Sequence, residues 1–155
     1  MAALRQRQAS SPVKLELSGV TSGTSVVPVG LDPSNGNLAV PPSATAVAWY
    51  EGGPAPGQSG ISVLAAHVDW HGQRGVFFTL RSVHIGATAA VSLANGRTAR
   101  FTVTRREEVA KADLDRLLVG SRVGPPQLAL ITCGGDFDWN THHYADNVVL
   151  FAQPS

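Results

Sequence analysis

Short apolar runs separated by turn residues make up most of this chain, and their alternation predicts β-strands. KLELSGV and TSVVPVGL carry β-branched or alternating apolar positions, whereas ISVLAAHV and QLALITC are nearly uninterrupted apolar runs of the kind that form buried strands. The predicted strands cover residues 14–20, 24–31, 36–42, 61–68, the two arms of 87–109, 127–133 and 147–152. Eight short strands with few helices indicate an all-β barrel or sandwich.

The connections between these runs carry their own signals. Asn95-Gly96 stands between two alternating runs, which predicts a tight hairpin with both central residues at positive φ. Residues 75–83 are consistent with a short helix anchored by Phe77 and Leu80, and 111–120 with a single helix or turn. The apolar segment 43–53 suits either a short helical turn or an extended strand.

Composition and charge narrow the class of protein. The 155 residues, 43% of them hydrophobic, are enough for one domain with a real core, which we expect over 13–155 after a polar, mobile segment 1–12. A formal net charge of +1 gives no reason to expect nucleic acid or an anionic membrane as partner. No apolar stretch reaches the ~18 residues of a membrane-spanning helix. The start, MAALRQRQASS, lacks the apolar core of a signal peptide, so it is either a natural start or the cut edge of a longer chain.

The single cysteine, Cys133, ends the apolar run QLALITC and is followed by Gly134-Gly135. A lone cysteine cannot form an intramolecular disulfide, and most such residues act as small buried hydrophobes. A strand end that opens into two glycines instead exposes the residue before them. This position therefore favours a nucleophilic thiol, which needs a basic or cationic neighbour to become a thiolate.

His67 is the candidate partner of that thiol. It stands at the end of ISVLAAHV, 66 residues before Cys133, at a second strand-to-loop boundary. A histidine in that position is more often a hydrogen-bonded edge residue than a catalyst. Together with Cys133, however, it makes a candidate Cys/His pair.

Metal chemistry is poorly supported. The chain has neither CxxC nor HExxH, and adjacent His142 and His143 would point to opposite sides of an extended segment. We therefore predict no metal and no cofactor. Asp136 and Asp138 suit a solvated turn, a substrate rim or a weak cation site.

Several stretches in consistent order resemble the sortase family, most closely the class F sortases. LITCGG is similar to the family's TLxTC-type signature, and VLAAHVD to its histidine segment. The matching stretches are VVPVGLD (26–32), VPPSATAVAWYEGGPAPGQSG (40–60), VLAAHVD (63–69), VFFTL (76–80), LITCGGDFD (130–138) and YADNVVLFA (144–152).

The resemblance implies an eight-stranded β-barrel, with short helices in its connections, that acts as a cysteine transpeptidase on the outer face of a Gram-positive-type cell membrane. Its partners would be LPxTG-type sorting-signal peptides, cut between Thr and Gly, and a cell-wall precursor amine as acceptor; we expect a monomer. Cys133 matches the family nucleophile and His67 the family histidine. The family arginine has no counterpart, since no Arg or Lys follows Arg122. Its position falls near Asn147, so Asn147, Arg74 in the loop after His67, or backbone N–H groups are the candidates for contact with the oxyanion.

Two other functions remain open at this level. The missing arginine is also what an inactive, sortase-like binding module would show. A cysteine hydrolase that releases its peptide to water would use the same Cys/His pair.

Overall fold

A computed structural model describes residues 11–31, 33, 43–70, 72–110, 113–114, 122–133, 137–138, 143–144 and 147–155. In these ranges the chain forms twelve strands and a 3₁₀ helix, Leu80–Ser82. The strands are β1 (Pro12–Leu17), β2 (Thr21–Val29), β3 (Val47–Tyr50), β4 (Ile61–His67), β5 (Asp69–Trp70), β6 (Gln73–Arg74), β7 (Thr88–Leu93), β8 (Thr98–Val109), β9 (Gln127–Cys133), β10 (Phe137–Asp138), β11 (His143–Tyr144) and β12 (Asn147–Pro154).

Eight of these strands close into a barrel in the order β1-β2-β3-β4-β9-β12-β8-β7, with β7 returning to β1. The pairs β2–β3 and β4–β9 are parallel and the other barrel pairs are antiparallel. The expected all-β, eight-stranded barrel is therefore confirmed. Two small hairpins, β5–β6 and β10–β11, lie in the connections that follow β4 and β9.

Two apolar clusters explain the sequence patterns. The larger cluster takes residues from all eight barrel strands and fills the lumen, with Phe77 and Leu80 closing it from outside the strands. The smaller one, which we call the outer apolar face, comes from β4, β9 and β12 alone and consists of Val63, Ala65, Ala129, Ile131, Val149 and Phe151. Because β4 and β9 are covered on both faces, they have no polar alternation, as is usual for parallel strands.

The structure corrects several local predictions. The predicted strand 14–20 is shorter, because Val20 N bonds to Leu17 O at 2.9 Å and turns the chain after Leu17. The ambiguous segment 43–53 contains strand β3, so the extended alternative is the correct one. The helix predicted over 75–83 is reduced to Leu80–Ser82, since the N–H groups of Val76 and Phe77 bond to Ala44 O and His67 O instead of helical carbonyls.

The hairpin predicted at Asn95-Gly96 joins β7 to β8, and Gly96 has φ +84° as expected. Its turn differs from the prediction, because Gly96 N bonds to Leu93 O at 3.0 Å and makes Ala94 and Asn95 the central residues. The Asn95 side-chain oxygen accepts the Arg97 N–H at 2.9 Å, a local bond that this residue type often makes in turns.

The predicted strand 36–42 lies outside the described residues, as do all residues of the predicted helix 111–120 except Asp113 and Leu114, which are helical. Segment 1–12 stays a prediction; β1 begins at Pro12. No helix within the described ranges is long and apolar enough to cross a membrane.

Candidate active site

His67 and Cys133, the two residues singled out at strand ends, are direct neighbours in the barrel. Strands β4 and β9 run parallel through seven paired positions, from Ile61 opposite Gln127 to His67 opposite Cys133. Each residue is the last of its strand, and neighbouring strands lie about 4.8 Å apart. The parallel register therefore brings together two residues that are 66 positions apart in the sequence.

Asn147 extends this pair to a third strand. β12 is antiparallel to β9, and its ladder pairs Val149 with Ile131. This ladder ends at that pair; its register, extended by two residues along both strands, places Asn147, the first residue of β12, opposite Cys133. Positions 67, 133 and 147 thus form one row across three adjacent strands, which we call the catalytic row for the role that is proposed below.

Strand alternation determines which side of the barrel carries this row. Ala65, Ile131 and Val149 stand two residues away from the three positions, and all belong to the outer apolar face. His67 and Asn147 therefore lie on the side of the barrel that carries the outer apolar face, and the row stands at one end of that face. This end lies on the outside of the barrel wall, where His67 and Asn147 are buried, and the lumen is a packed core.

Asn147 and Thr132 bond across the end of the β9–β12 ladder. The Asn147 side-chain nitrogen donates to the main-chain oxygen of Thr132, and Val148 N donates to Thr132 Oγ1 at 2.9 Å. Both Thr132 and Asn147 are only 4% exposed. We call this pair of bonds the Thr132–Asn147 clasp; it fixes the residue directly before Cys133. Sequence reasoning did not identify this role of Thr132, although a polar residue on the lumen side of an apolar strand is a signal for it.

The segment that follows the β5–β6 hairpin packs against the backbone of His67. Phe77 N donates to the main-chain oxygen of His67 at 3.1 Å, and Gly75 N donates to Val68 O at 2.8 Å. A Cβ atom at Gly75 would lie 1.8 Å from the His67 oxygen, so only glycine allows this approach. These contacts fix the end of β4 and with it the histidine, which is 3% exposed.

Arg74 is the last residue of that hairpin. Its guanidinium carbon lies 4.6 Å from the centre of the Phe78 ring, a cation–π contact, and its side chain is exposed. Arg74 directly precedes Gly75, the residue in closest approach to the His67 oxygen. The structure thus holds a cation on the segment that packs against the histidine.

The remaining chemistry-bearing residues of the sequence are dispersed. His84 is exposed in the segment that leads into β7. Asp138 pairs with His143 in the β10–β11 hairpin, which lies between Cys133 and β12 in the chain. His71, Asp136 and His142 lie outside the described residues.

Comparison with known proteins identifies one family. The Sortase domain model matches residues 20–155. No curated protein matches the chain.

Solved sortases share the fold. Sortase C1 of Streptococcus agalactiae, in complex with MTSET, superposes with a TM-score of 0.67 at 17% identity, over 92% of this chain and 66% of that one. Sortase A of Corynebacterium diphtheriae superposes with a TM-score of 0.64 at 17% identity, over 94% of this chain and 61% of that one. Sortase C-1 of Actinomyces oris superposes with a TM-score of 0.67 at 19% identity, over 94% of this chain and 75% of that one. The chain thus spans slightly less than two thirds of the first two. At these identities the likeness shows the fold.

Proposed function

The chain belongs to the sortase family, and we propose that it is a class F-like cysteine transpeptidase that cuts an LPxTG-type sorting signal between Thr and Gly. It passes the threonyl group to a cell-wall precursor amine at the outer face of the membrane, working as a monomer. The observation that carries this proposal is the pairing of His67 with Cys133 at the ends of two parallel strands. The class F assignment rests on the stretches LITCGGDFD and VLAAHVD, since the solved structures compared above are a sortase A and two sortases C.

The reaction takes place in two steps at Cys133. Its thiolate forms a bond to the threonine carbonyl carbon, the Thr–Gly C–N bond breaks, and His67 gives a proton to the departing glycine amine. The acceptor amine then attacks the thioester carbonyl, His67 takes the proton that this nitrogen loses, and the C–S bond breaks to restore the thiolate. Each step is an acyl exchange, so no oxidant, metal or cofactor is needed.

The outer apolar face is the proposed floor of the peptide groove. It ends at the catalytic row, and its residues are buried in the free chain under Tyr50, Ile61, Val109 and Leu114, so a bound peptide would have to displace part of that cover. Apolar floors with a few polar groups at one end are typical of binding clefts. The Leu and Pro of the sorting signal would lie along this floor while its Thr carbonyl lies at Cys133.

The developing oxyanion needs hydrogen-bond donors. We propose Arg74 as the charged donor, because it ends the hairpin next to His67 and no Arg or Lys follows Arg122 in the chain. Asn147 is the second proposed contact with substrate, because it begins β12, near the position of the family arginine, and bonds to Thr132, the residue before Cys133.

Mass spectrometry of the intact protein tests the activity. After incubation with an LPxTG peptide we expect a thioester on Cys133 in the wild type, none in Cys133→Ala, and a strongly reduced amount in His67→Ala. His84→Ala is the matched control, because that histidine is exposed and away from the row, and it should react like the wild type. An acyl adduct on Cys133→Ala, or normal turnover by it, would exclude Cys133 as the nucleophile.

The absent arginine favours one alternative, a sortase-like barrel that binds sorting peptides without cutting them. A methanethiosulfonate reagent distinguishes the two in the native protein. Fast labelling of Cys133 that slows in His67→Ala supports the enzyme, whereas slow labelling that is indifferent to His67 supports the binding module.

A further inference from the structure

One buried polar atom in the described part of the catalytic row has no partner. The side chain of Asn147 is 4% exposed, and its oxygen Oδ1 makes no hydrogen bond in the described structure. Ser62 Oγ is the other such atom among the described residues, but it lies five residues before His67, near the far end of β4. A buried acceptor without a donor is destabilising, because it loses its bond to water and gains nothing in return.

The orientation of the Asn147 amide follows from its surroundings. Thr132 offers a main-chain oxygen, which can only accept, so the nitrogen of the amide must face it. The group left without a partner is therefore an acceptor. An acceptor repels an oxyanion and attracts an N–H, so the unpaired end of Asn147 is unsuited to the part that the family arginine plays.

We infer that Asn147 Oδ1 accepts a hydrogen bond from a main-chain N–H of the bound sorting peptide, at the threonine or the residue before it. This inference rests on the proposed function, because it needs a peptide whose threonine carbonyl lies at Cys133. The β9–β12 register, extended by two residues beyond Val149 and Ile131, places Asn147 opposite Cys133 at one strand spacing of about 5 Å. A peptide held at Cys133 brings its neighbouring N–H groups within that range.

The chemistry of the ligand agrees with this assignment. The oxygen is buried and has no donor among the described residues, so a peptide N–H that displaces the atoms covering it would supply the missing bond. In an LPxTG segment the proline has no N–H, so Leu, x, Thr and Gly are the donors. The Gly N–H belongs to the scissile bond itself, and the Leu N–H lies two residues before that of x. The N–H groups of x and Thr are therefore the ones nearest the reacting carbonyl that do not take part in the reaction.

Ester-substituted peptides test the contact without relying on turnover. Three LPxTG peptides are made in which the amide N–H of Leu, x or Thr is replaced by an ester oxygen, and their affinity for Cys133→Ala is measured by NMR titration. We expect the x or the Thr ester to bind about two- to tenfold more weakly than the amide peptide, the range for one neutral hydrogen bond. The Leu ester should bind normally.

The Cys133→Ala/Asn147→Ala double variant completes the cycle. Its affinity for the amide peptide should be lower than that of Cys133→Ala by the same two- to tenfold factor. Its affinity for the x or Thr ester that binds weakly to Cys133→Ala should equal its affinity for the amide peptide. Cys133→Ala/Thr132→Val is the matched control. It removes the hydroxyl that bonds Val148 N but keeps Oδ1, so any loss of affinity should leave the ester effect unchanged.

Three results would overturn the inference: no effect of the x and Thr esters on Cys133→Ala, an ester effect that persists in full without Asn147, or no binding of the amide peptide. The first needs no Asn147 variant, so the test holds even if Asn147→Ala does not fold. Wild-type turnover is measured separately. If no thioester forms but the ester effect disappears without Asn147, only the proposed activity is refuted. If turnover is normal but the ester effect is the same with and without Asn147, only the role of Asn147 is refuted.

Discussion

Arg74 is the proposed charged donor to the oxyanion. The chain has no Arg or Lys after Arg122, and in the free protein the Arg74 guanidinium rests on the exposed ring of Phe78. A cation–π contact at an exposed position is worth about 0.5–1 kcal/mol, so a substrate oxyanion can compete for the guanidinium at small cost. The contact with Phe78 is therefore weak enough for Arg74 to leave it and bind the proposed oxyanion.

Substitution of this arginine gives a direct test. We expect Arg74→Ala to lower kcat/KM by about tenfold or more, because loss of one oxyanion donor typically costs about 10²–10³ in rate. Arg81→Ala, at another exposed arginine on the 3₁₀ helix, is the control and should be near normal. Normal turnover by Arg74→Ala would refute Arg74 as the oxyanion donor and leave backbone N–H groups as the remaining candidate.

Among the elements, the β5–β6 hairpin has the most direct effect on the site. It returns the chain to the end of β4, where Gly75 meets the main-chain oxygen of His67. The contact is with backbone, which cannot rotate aside as a flexible side chain would. The position of His67 therefore depends on a residue that has no side chain.

We expect Gly75→Ala to reduce both stability and activity. The added methyl group must push the hairpin away from His67, and overpacking of this kind costs about 1–3 kcal/mol. For a domain of this size, each kcal/mol of destabilisation lowers Tm by about 2–4 °C. Gly30→Ala, where nothing lies within 4 Å and φ is not in the left-handed region, should change neither Tm nor kcat/KM. Equal effects at the two glycines would refute the argument.

The β7–β8 hairpin is a purely structural element by comparison. Gly96, at φ +84°, should resist substitution, because a β-branched residue there is strained by about 1–3 kcal/mol. Gly96→Val should therefore lower Tm by several degrees while kcat/KM stays within about twofold at a temperature where both proteins are folded. Unchanged Tm together with lost turnover would show that this turn takes part in the chemistry.

In the molecule as a whole, the main core and the proposed site lie on opposite sides of the barrel wall. Its lumen is filled by side chains from all eight strands, whereas the catalytic row lies at one end of the outer apolar face. On the proposed function, peptide binding would displace part of the cover of the outer apolar face and leave the packing of the lumen unchanged. If the proposed thioester forms at Cys133, access of the acceptor amine to it decides whether the product is a new amide or a free acid.

The fate of the thioester distinguishes a transpeptidase from a hydrolase. With an LPxTG peptide and triglycine as acceptor amine, we expect the transpeptidation product to accumulate with increasing triglycine at the expense of the hydrolysed acid, measured by liquid chromatography with mass detection. Cys133→Ala is the control and should give neither product. A yield of free acid that is independent of triglycine would make the protein a hydrolase.

Much of this architecture follows from the sequence alone. The uninterrupted apolar runs at 61–68 and 127–133 predicted β4 and β9, because strands covered on both faces need no polar positions. The strand-end positions of His67 and Cys133 selected them as a pair, and the resemblance to sortases predicted the number of strands in the barrel. These are local signals, in which each residue is judged by its neighbours in the chain.

Only the tertiary structure decided what depends on distant partners. The register of β4 against β9 makes His67 and Cys133 adjacent, and a shift of one residue would have moved one of them to the lumen side. The sequence also did not predict three local features: the turn at Leu93–Gly96, the Thr132–Asn147 clasp and the close approach of Gly75 to His67. Each depends on hydrogen bonds or contacts between atoms whose proximity is set by folding, and the pattern of residue types along a chain does not encode those distances.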